Sequence, residues 1–184
     1  MKHAYVLIAA LAATCAVAAA QTLPATTTVL IFSTGTMSIE DTLQGSCWTS
    51  SIASPRPNAY RCMAGNAIYD PCFSSSANRV SCPTDIFENR GIVMSLDKPL
   101  PAAGAAAATR PWALLLQSGA HCTAGTGTIV PGYPFYCSGG GAEEAVCSMP
   151  DLSNPAPAYF VTCAAVVNGN PSQPSSTLVK IAYL

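Results

Sequence analysis

Nine cysteines are the residues of this 184-residue chain with the most chemistry to offer. Cys15 lies in an apolar leader. The other eight follow it: Cys47, Cys62, Cys72, Cys82, Cys122, Cys137, Cys147 and Cys163. A thiol can ligate zinc, act as a nucleophile or pair as a disulfide. Zinc sites built on cysteine take closely spaced Cys pairs or histidine partners. No CxxC pair occurs, and His121 is the sole histidine past the leader. No metal or other cofactor is expected. An even number of cysteines behind a leader predicts four disulfides formed in an oxidising compartment. Cys72 and Cys82 flank a turn-like insert, and Cys122 and Cys137 flank a Gly-rich reversal. These two pairs are expected as local bridges, with Cys47–Cys62 and Cys147–Cys163 completing a sequential pattern. The spacings 47–62–72 and 122–137–147 coincide, but the residues between share little beyond a Pro, an aromatic and a Gly. A true repeat needs self-similarity as well as period, so the coincidence is read as chance.

Other reactive side chains are sparse. The segment Ser118-Gly119-Ala120-His121-Cys122 resembles the histidine motif of chymotrypsin-like proteases, and Cys137-Ser138-Gly139-Gly140 resembles their serine motif. Those enzymes need an Asp and then a Ser far downstream of the His, a spacing this sequence lacks. There is no Gly-x-Ser-x-Gly elbow either. His121 is therefore read as a turn residue beside a disulfide. Asp85, Glu88, Asp97, Glu143 and Glu144 are the available acids for a glycosidase-like pair, with Glu143-Glu144 read as a solvated turn. Asp70 precedes Pro71, where Asp initiates turns by bonding nearby backbone, and Arg61 is a fitting counter-ion for it. Trp48 and Trp112 are expected in the core. Tyr133, Phe135 and Tyr136, among Pro and Gly, are the expected exposed aromatic binding surface.

The elements that must position these residues read as strands. Thr26–Ser33, Gly91–Leu96, Trp112–Gln117, Tyr133–Cys137, Ala158–Val167 and Thr177–Leu184 are β-branched or apolar runs between turn residues. Ser38–Gly45 reads as a turn or short helix. Pro55 and Pro57 exclude a helix around them. Ala102–Thr109 is low in complexity and too short for a stable helix, so a mobile loop is expected. No sustained helical period occurs. The fold class expected is all-β: a small antiparallel sandwich or barrel with long Pro/Gly-rich loops stapled by disulfides.

Residues 1–20 carry Lys2 and His3, an apolar run and Ala18-Ala19-Ala20, the pattern of a cleavable signal peptide. Residues 21–184 then form a single disulfide-rich β domain with no membrane span. Of the 8 basic residues Lys2 is lost, leaving 7 against 9 acidic and a net charge of −2. That balance argues against a nucleic-acid partner. A secreted or periplasmic monomer is expected.

The blocks SCWTSSIASPRPNAYRCMAGNAIYDPCF (46–73), RVSCP (79–83), PLP (99–101) and PWALLLQSGAHC (111–122) resemble a small cysteine-rich extracytoplasmic domain of bacterial, notably actinobacterial, exported or membrane-tethered proteins. The resemblance runs from about residue 45 to 184. It implies an extracytoplasmic β-rich domain and carries over no catalytic residue. Here the domain stands without a membrane helix, and Cys147 and Cys163 are additions to the pattern. The function expected is a non-enzymatic binding module whose partner is an unknown protein or envelope polymer. A secreted hydrolase or enzyme inhibitor is the alternative.

Overall fold

Fifteen prolines and thirteen glycines cut the chain into short extended pieces, and those pieces close into two barrels. A computed structural model of the chain describes residues 25–104, 110–140, 142–152, 155–167 and 170–184. The predicted leader, residues 105–109 of the Ala-rich loop and part of the 168–176 loop lie outside the described residues. The strands are β1 (Thr28–Leu30), β2 (Ser38–Ser50), β3 (Ala59–Ala64), β4 (Ala67–Ser76), β5 (Arg79–Asp85), β6 (Arg90–Leu96), β7 (Ala113–Leu116), β8 (His121–Ala124), β9 (Phe135–Gly139), β10 (Ala142–Cys147), β11 (Tyr159–Val167), β12 (Asn170–Pro171) and β13 (Ser175–Tyr183). No α-helix occurs among the described residues. The all-β expectation is met.

The first barrel is a meander of β2 to β6. Parallel pairing of β2 with β6, from Ser38↔Arg90 to Gly45↔Leu96, closes it. Gly45 is required at this seam, because a Cβ there would lie 2.2 Å from the Met63 carbonyl oxygen. In the second barrel β13, β7, β8, β9, β10 and β11 pair in that order. β11 then returns to β13 through Tyr159↔Val179 to Cys163↔Ser175. The short β1 joins the same edge of β13 further along, Thr28 against Ile181, in parallel.

All four expected disulfides are present: Cys47–Cys62, Cys72–Cys82, Cys122–Cys137 and Cys147–Cys163. Three join residues directly opposite on neighbouring antiparallel strands, and Cys72–Cys82 lies beside the Phe73↔Ser81 pair of β4 and β5. Strands such as β4 and β5 are rich in Ser and poor in alternating large apolar residues. Hydrophobic pattern alone specifies register weakly in such strands, and a cross-strand bridge fixes it. In the chain-entropy model each loop of this size adds roughly 3 kcal/mol. The recurring spacing has a structural counterpart after all. Each barrel carries two bridges across two successive strand pairs, β2–β3 and β4–β5 in one, β8–β9 and β10–β11 in the other.

The bridges are core material. Cys47, Cys62, Cys72 and Cys82 pack with Tyr60, Val80, Ile92 and Met94 inside the first barrel. Cys122, Cys137 and Cys147 pack with Leu114, Leu116, Phe135, Val161 and Val179 inside the second. A third cluster, Phe32, Met37, Phe73, Ile86 and Trp112 with Ala53, Ala59 and Ala113, joins the two barrels. Its centre is an aromatic trio. Phe32 meets Trp112 edge-on at 5.3 Å and Phe73 at 5.5 Å, and Phe73 lies 5.9 Å from Trp112. Arg56 closes it, donating to the Phe32 carbonyl at 2.7 Å with its guanidinium 4.7 Å above the Phe73 ring. No disulfide crosses this junction, so beyond the connecting chain the barrels are held by side-chain packing and by side-chain hydrogen bonds to backbone carbonyls.

Several local expectations are corrected. Ser38–Gly45 is strand, because β6 supplies a partner for every residue from Leu43 to Gly45 and the backbone is paired despite its polarity. The insert between Cys72 and Cys82 is strand on both sides of a two-residue Ala77-Asn78 turn. Trp48 is 46 % exposed rather than core. Successive strand side chains point to opposite faces, and Cys47 takes the inward one.

Candidate functional site

The junction leaves a cleft of about 520 Å³ between the barrels. From the first barrel it is lined by Ala53, Asp70, Pro71 and the β5–β6 turn with Asp85, Ile86 and Phe87. From the second come Trp112, His121, Thr126, Tyr136, Ser138 and Glu144. Three carboxylates and no lysine or arginine border it.

Asp85 shapes the turn. One carboxylate oxygen accepts from the backbone N–H groups of Phe87 at 2.9 Å and Glu88 at 3.0 Å. The other faces Arg90, which also meets Glu40 at 2.8 Å and Glu88 at 3.4 Å. Asp85 and Glu88 are thus an ion network on an exposed face and not a catalytic pair. The hydrogen bonds from Thr84 and Arg90 hold the Glu40 carboxyl below its usual range. The turn built by Asp85 presents Phe87 to His121, and the rings stack with centroids 4.0 Å apart and 14° between planes.

His121 sits on β8 directly across from Ser138 on β9. The Ser138 side chain makes no hydrogen bond to His121, and the His121 side chain has its Phe87 stack alone among the described residues. Nucleophilic catalysis needs a serine hydrogen-bonded to its base and a base oriented by a third group. That arrangement is not formed here.

Asp70 behaves differently from the sequence expectation. Its carboxylate does not cap its own turn but reaches 18 to 19 residues back. Ser51 Oγ donates to one oxygen and the Ile52 N–H to the other at 3.1 Å. Ser51 Oγ in turn accepts from the Ser54 N–H at 2.8 Å. Arg61 lies 3.8 Å away, the pairing expected from the sequence. Burial is nevertheless the larger influence and raises the Asp70 carboxyl above its usual range, the hydrogen bonds and Arg61 opposing it. Arg61 also donates to the Thr126 carbonyl at 2.5 Å, and its guanidinium lies 5.7 Å from the Trp48 ring. Asp70 therefore holds the 51–54 loop, and through Arg61 it braces the second barrel's 124–128 loop.

The expected aromatic surface divides. Phe135 is completely buried and belongs to the second barrel's core. Tyr136 points the opposite way, lines the cleft and donates its hydroxyl to the Thr128 carbonyl at 2.6 Å. Tyr133 is half-buried in a tight Val130–Tyr133 bridge. Only Tyr136 of the three reaches the cleft. Sequence reading missed Phe87, Ser51 and the junction role of Trp112. Asp85 two residues before an aromatic was the one local sign of the turn that displays Phe87.

The sulfurs of Cys122, Cys137 and Cys147 gather within 4.8 Å of one another. All three are already bonded in disulfides, and zinc takes thiolates. No family model, curated protein or solved structure matches this chain.

Proposed function

We propose that this chain is an exported, non-enzymatic binding module of the cell envelope or extracellular space, and that its partner enters the cleft between the barrels. The supporting observation is the composition of that cleft. Ligand sites are concave, lie preferentially between domains and combine aromatic walls with a few polar groups. Here Phe87, Trp112 and Tyr136 supply the aromatic surface, with Ser138, Glu144 and His121 beside them. Trp112 is nearly fully buried, yet its indole N–H has no acceptor among the described residues. Asp70 and Asp85 are paired with Arg61 and Arg90, and Glu144 on the opposite wall favours a cationic or neutral partner over a polyanion. Four disulfides are typical of an oxidising compartment. With the leader-like residues 1–20 and the resemblance to actinobacterial extracytoplasmic domains, they support export.

The test is amide-resonance mapping of the oxidised protein titrated with wall-polymer fragments, a basic peptide and an acidic peptide. Shifts should cluster at Phe87, His121, Thr126, Tyr136 and Glu144, and Glu144→Lys should abolish binding of the basic peptide. Shifts confined to the outer face around Trp48, Met63 and Ile68 would refute the cleft as the site.

A hydrolase is the second reading. One observation favours it: His121, Ser138 and Glu144 come to the same cleft. Ester, peptide and glycoside substrates assayed with the parent and Ser138→Ala decide it. Turnover that Ser138→Ala removes without lowering the melting temperature would replace the binding reading.

A further inference from the structure

We propose that the second barrel's two disulfides form one thiol–disulfide exchange relay, entered by an external thiol at Cys163. The bridges lie side by side across four strands. Cys122–Cys137 spans β8 and β9, and Cys147–Cys163 spans β10 and β11. Between them β9 and β10 pair with Cys137 opposite Ala145 and Cys147 opposite Phe135. Cys137 and Cys147 are therefore diagonal neighbours on one inward face, and their sulfurs lie 3.2 Å apart. Cys122, Cys137 and Cys147 are buried, whereas Cys163 is half-buried and is the one sulfur residue of the four that solvent reaches appreciably. Among the described residues no such sulfur contact joins the bridges of the first barrel. There Cys72 faces Tyr60 and Cys62 faces Tyr69.

The chemistry balances with a dithiol as reductant. One thiolate of the dithiol attacks Cys163 Sγ. The Cys147–Cys163 bond breaks, a mixed disulfide forms on Cys163, and Cys147 leaves as a thiolate. That thiolate faces Cys137 Sγ and attacks it. The Cys137–Cys147 bond forms, the Cys122–Cys137 bond breaks, and the Cys122 thiolate takes up a proton. The second thiol of the dithiol then resolves the mixed disulfide, releasing Cys163 as a thiol and the reagent as its own disulfide. Two electrons have entered, one bridge has been lost, and the survivor has moved to β9–β10. Exchange of this kind needs a thiolate with access to a sulfur, and only the first step needs access from solvent. The product no longer ties β8 to β9 or β10 to β11. β8 and β9 carry His121, Tyr136 and Ser138 of the cleft, so the relay links redox state to the cleft wall.

The experiment treats the oxidised protein with about one equivalent of dithiothreitol per protein. It is quenched in acid, where thiolates are protonated and exchange stops, then alkylated and mapped as peptic peptides without reduction. The expected product carries Cys137 joined to Cys147, with Cys122 and Cys163 alkylated and both first-barrel bridges intact. Alkylation of Cys147 and Cys163 with Cys122–Cys137 intact would overturn the relay. So would simultaneous alkylation of all four, or first reduction in the other barrel. In a second arm, Cys122→Ser/Cys163→Ser should form the Cys137–Cys147 bridge on export. Free thiols at both positions in a folded variant would also overturn it. Should that variant fail to fold, the mapping of the unaltered protein decides.

Discussion

Replacing Asp70 separates two opposed effects that meet on one buried carboxylate. Asp70→Ala removes the acceptor for Ser51 Oγ and the Ile52 N–H and leaves Arg61, only 15 % exposed, without its counter-ion. Hydrogen bonds to a charged group contribute about 1.5–3 kcal/mol each, so two of them place the gross loss at roughly 3–6 kcal/mol. Removing a charge whose burial is unfavourable offsets part of this, and a net cost of about 3 kcal/mol is expected. Asp70→Asn keeps the shape and one acceptor oxygen while discarding the charge, so it should cost less than about 1 kcal/mol at neutral pH. For a chain of this size 1 kcal/mol moves Tm by about 2–4 °C. Asp70→Ala should therefore melt roughly 6–12 °C below the parent and Asp70→Asn within a few degrees of it. The pH dependence carries the sign. The folded-state carboxyl is raised, so the native state holds its proton more tightly than the unfolded chain. This group's contribution to stability then falls as pH rises from the ordinary Asp value to the raised one, and returns on acidification. The Tm of the parent minus that of Asp70→Asn, followed by circular dichroism, should increase as pH falls through that window. Taking the difference cancels Glu40, whose lowered carboxyl acts in the opposite direction. A difference that grows with rising pH, or an Asn variant as unstable as the Ala variant, would refute the reasoning.

Other outcomes follow from the same contacts. His121→Ala removes a stacked ring from Phe87 and should cost about 0.5–1.5 kcal/mol, whereas Cys122→Ser should cost about 2–5 kcal/mol; paired thermal melts of the two variants check the order. Trp112→Ala opens the centre of the junction cluster and should lose about 3–5 kcal/mol. If the two barrels then melt apart, calorimetry will show two transitions in place of one. Gly45→Ala places a Cβ against the Met63 carbonyl at the β2–β6 seam, and proteolysis of the first barrel should accelerate while its two bridges remain intact. Alkylation of unreduced protein should label none of the eight cysteines from Cys47 to Cys163, and any labelled residue among them would contradict the bridge set.

What the sequence disclosed and what it concealed have a common physical cause. The strands with apolar runs, such as Gly91–Leu96 and Thr177–Leu184, were legible because β-branched alternation is a backbone-level signal. β3, β4 and β5 were not, because prolines lie within β4 and β5 (Pro71, Pro83) and exposed Met63 and Ile68 blur the contrast with buried Tyr60, Cys62, Cys72, Val80 and Cys82. There the cysteines supply much of the hydrophobic pattern, and so few large apolar residues give little periodicity to read. Disulfide pairing was legible from the turns between the cysteines. The cleft was not. Asp70, Phe87, Thr126 and Tyr136 come together only when two barrels meet, and nothing in the local sequence of either declares the other.

The location of the covalent bonds bears on how this molecule can respond to a partner. Every bridge lies inside a barrel, where it fixes the register of two strands. The junction depends on Phe32, Phe73 and Trp112, on Arg56 bonded to the Phe32 carbonyl, and on Arg61 bonded to the Thr126 carbonyl. Cooperative units of lower stability are those held by fewer constraints, and the seam has no disulfide. The cleft opens along that seam. A partner that fills it binds both barrels at once and adds its own contacts to the weakest boundary in the molecule. Binding should therefore protect the amides of the 51–54 and 124–128 loops from hydrogen exchange more than those of the bridged strands. Uniform protection across both barrels would mean that the seam is as rigid as the barrels it joins, and that side-chain packing there does the work the bridges do elsewhere.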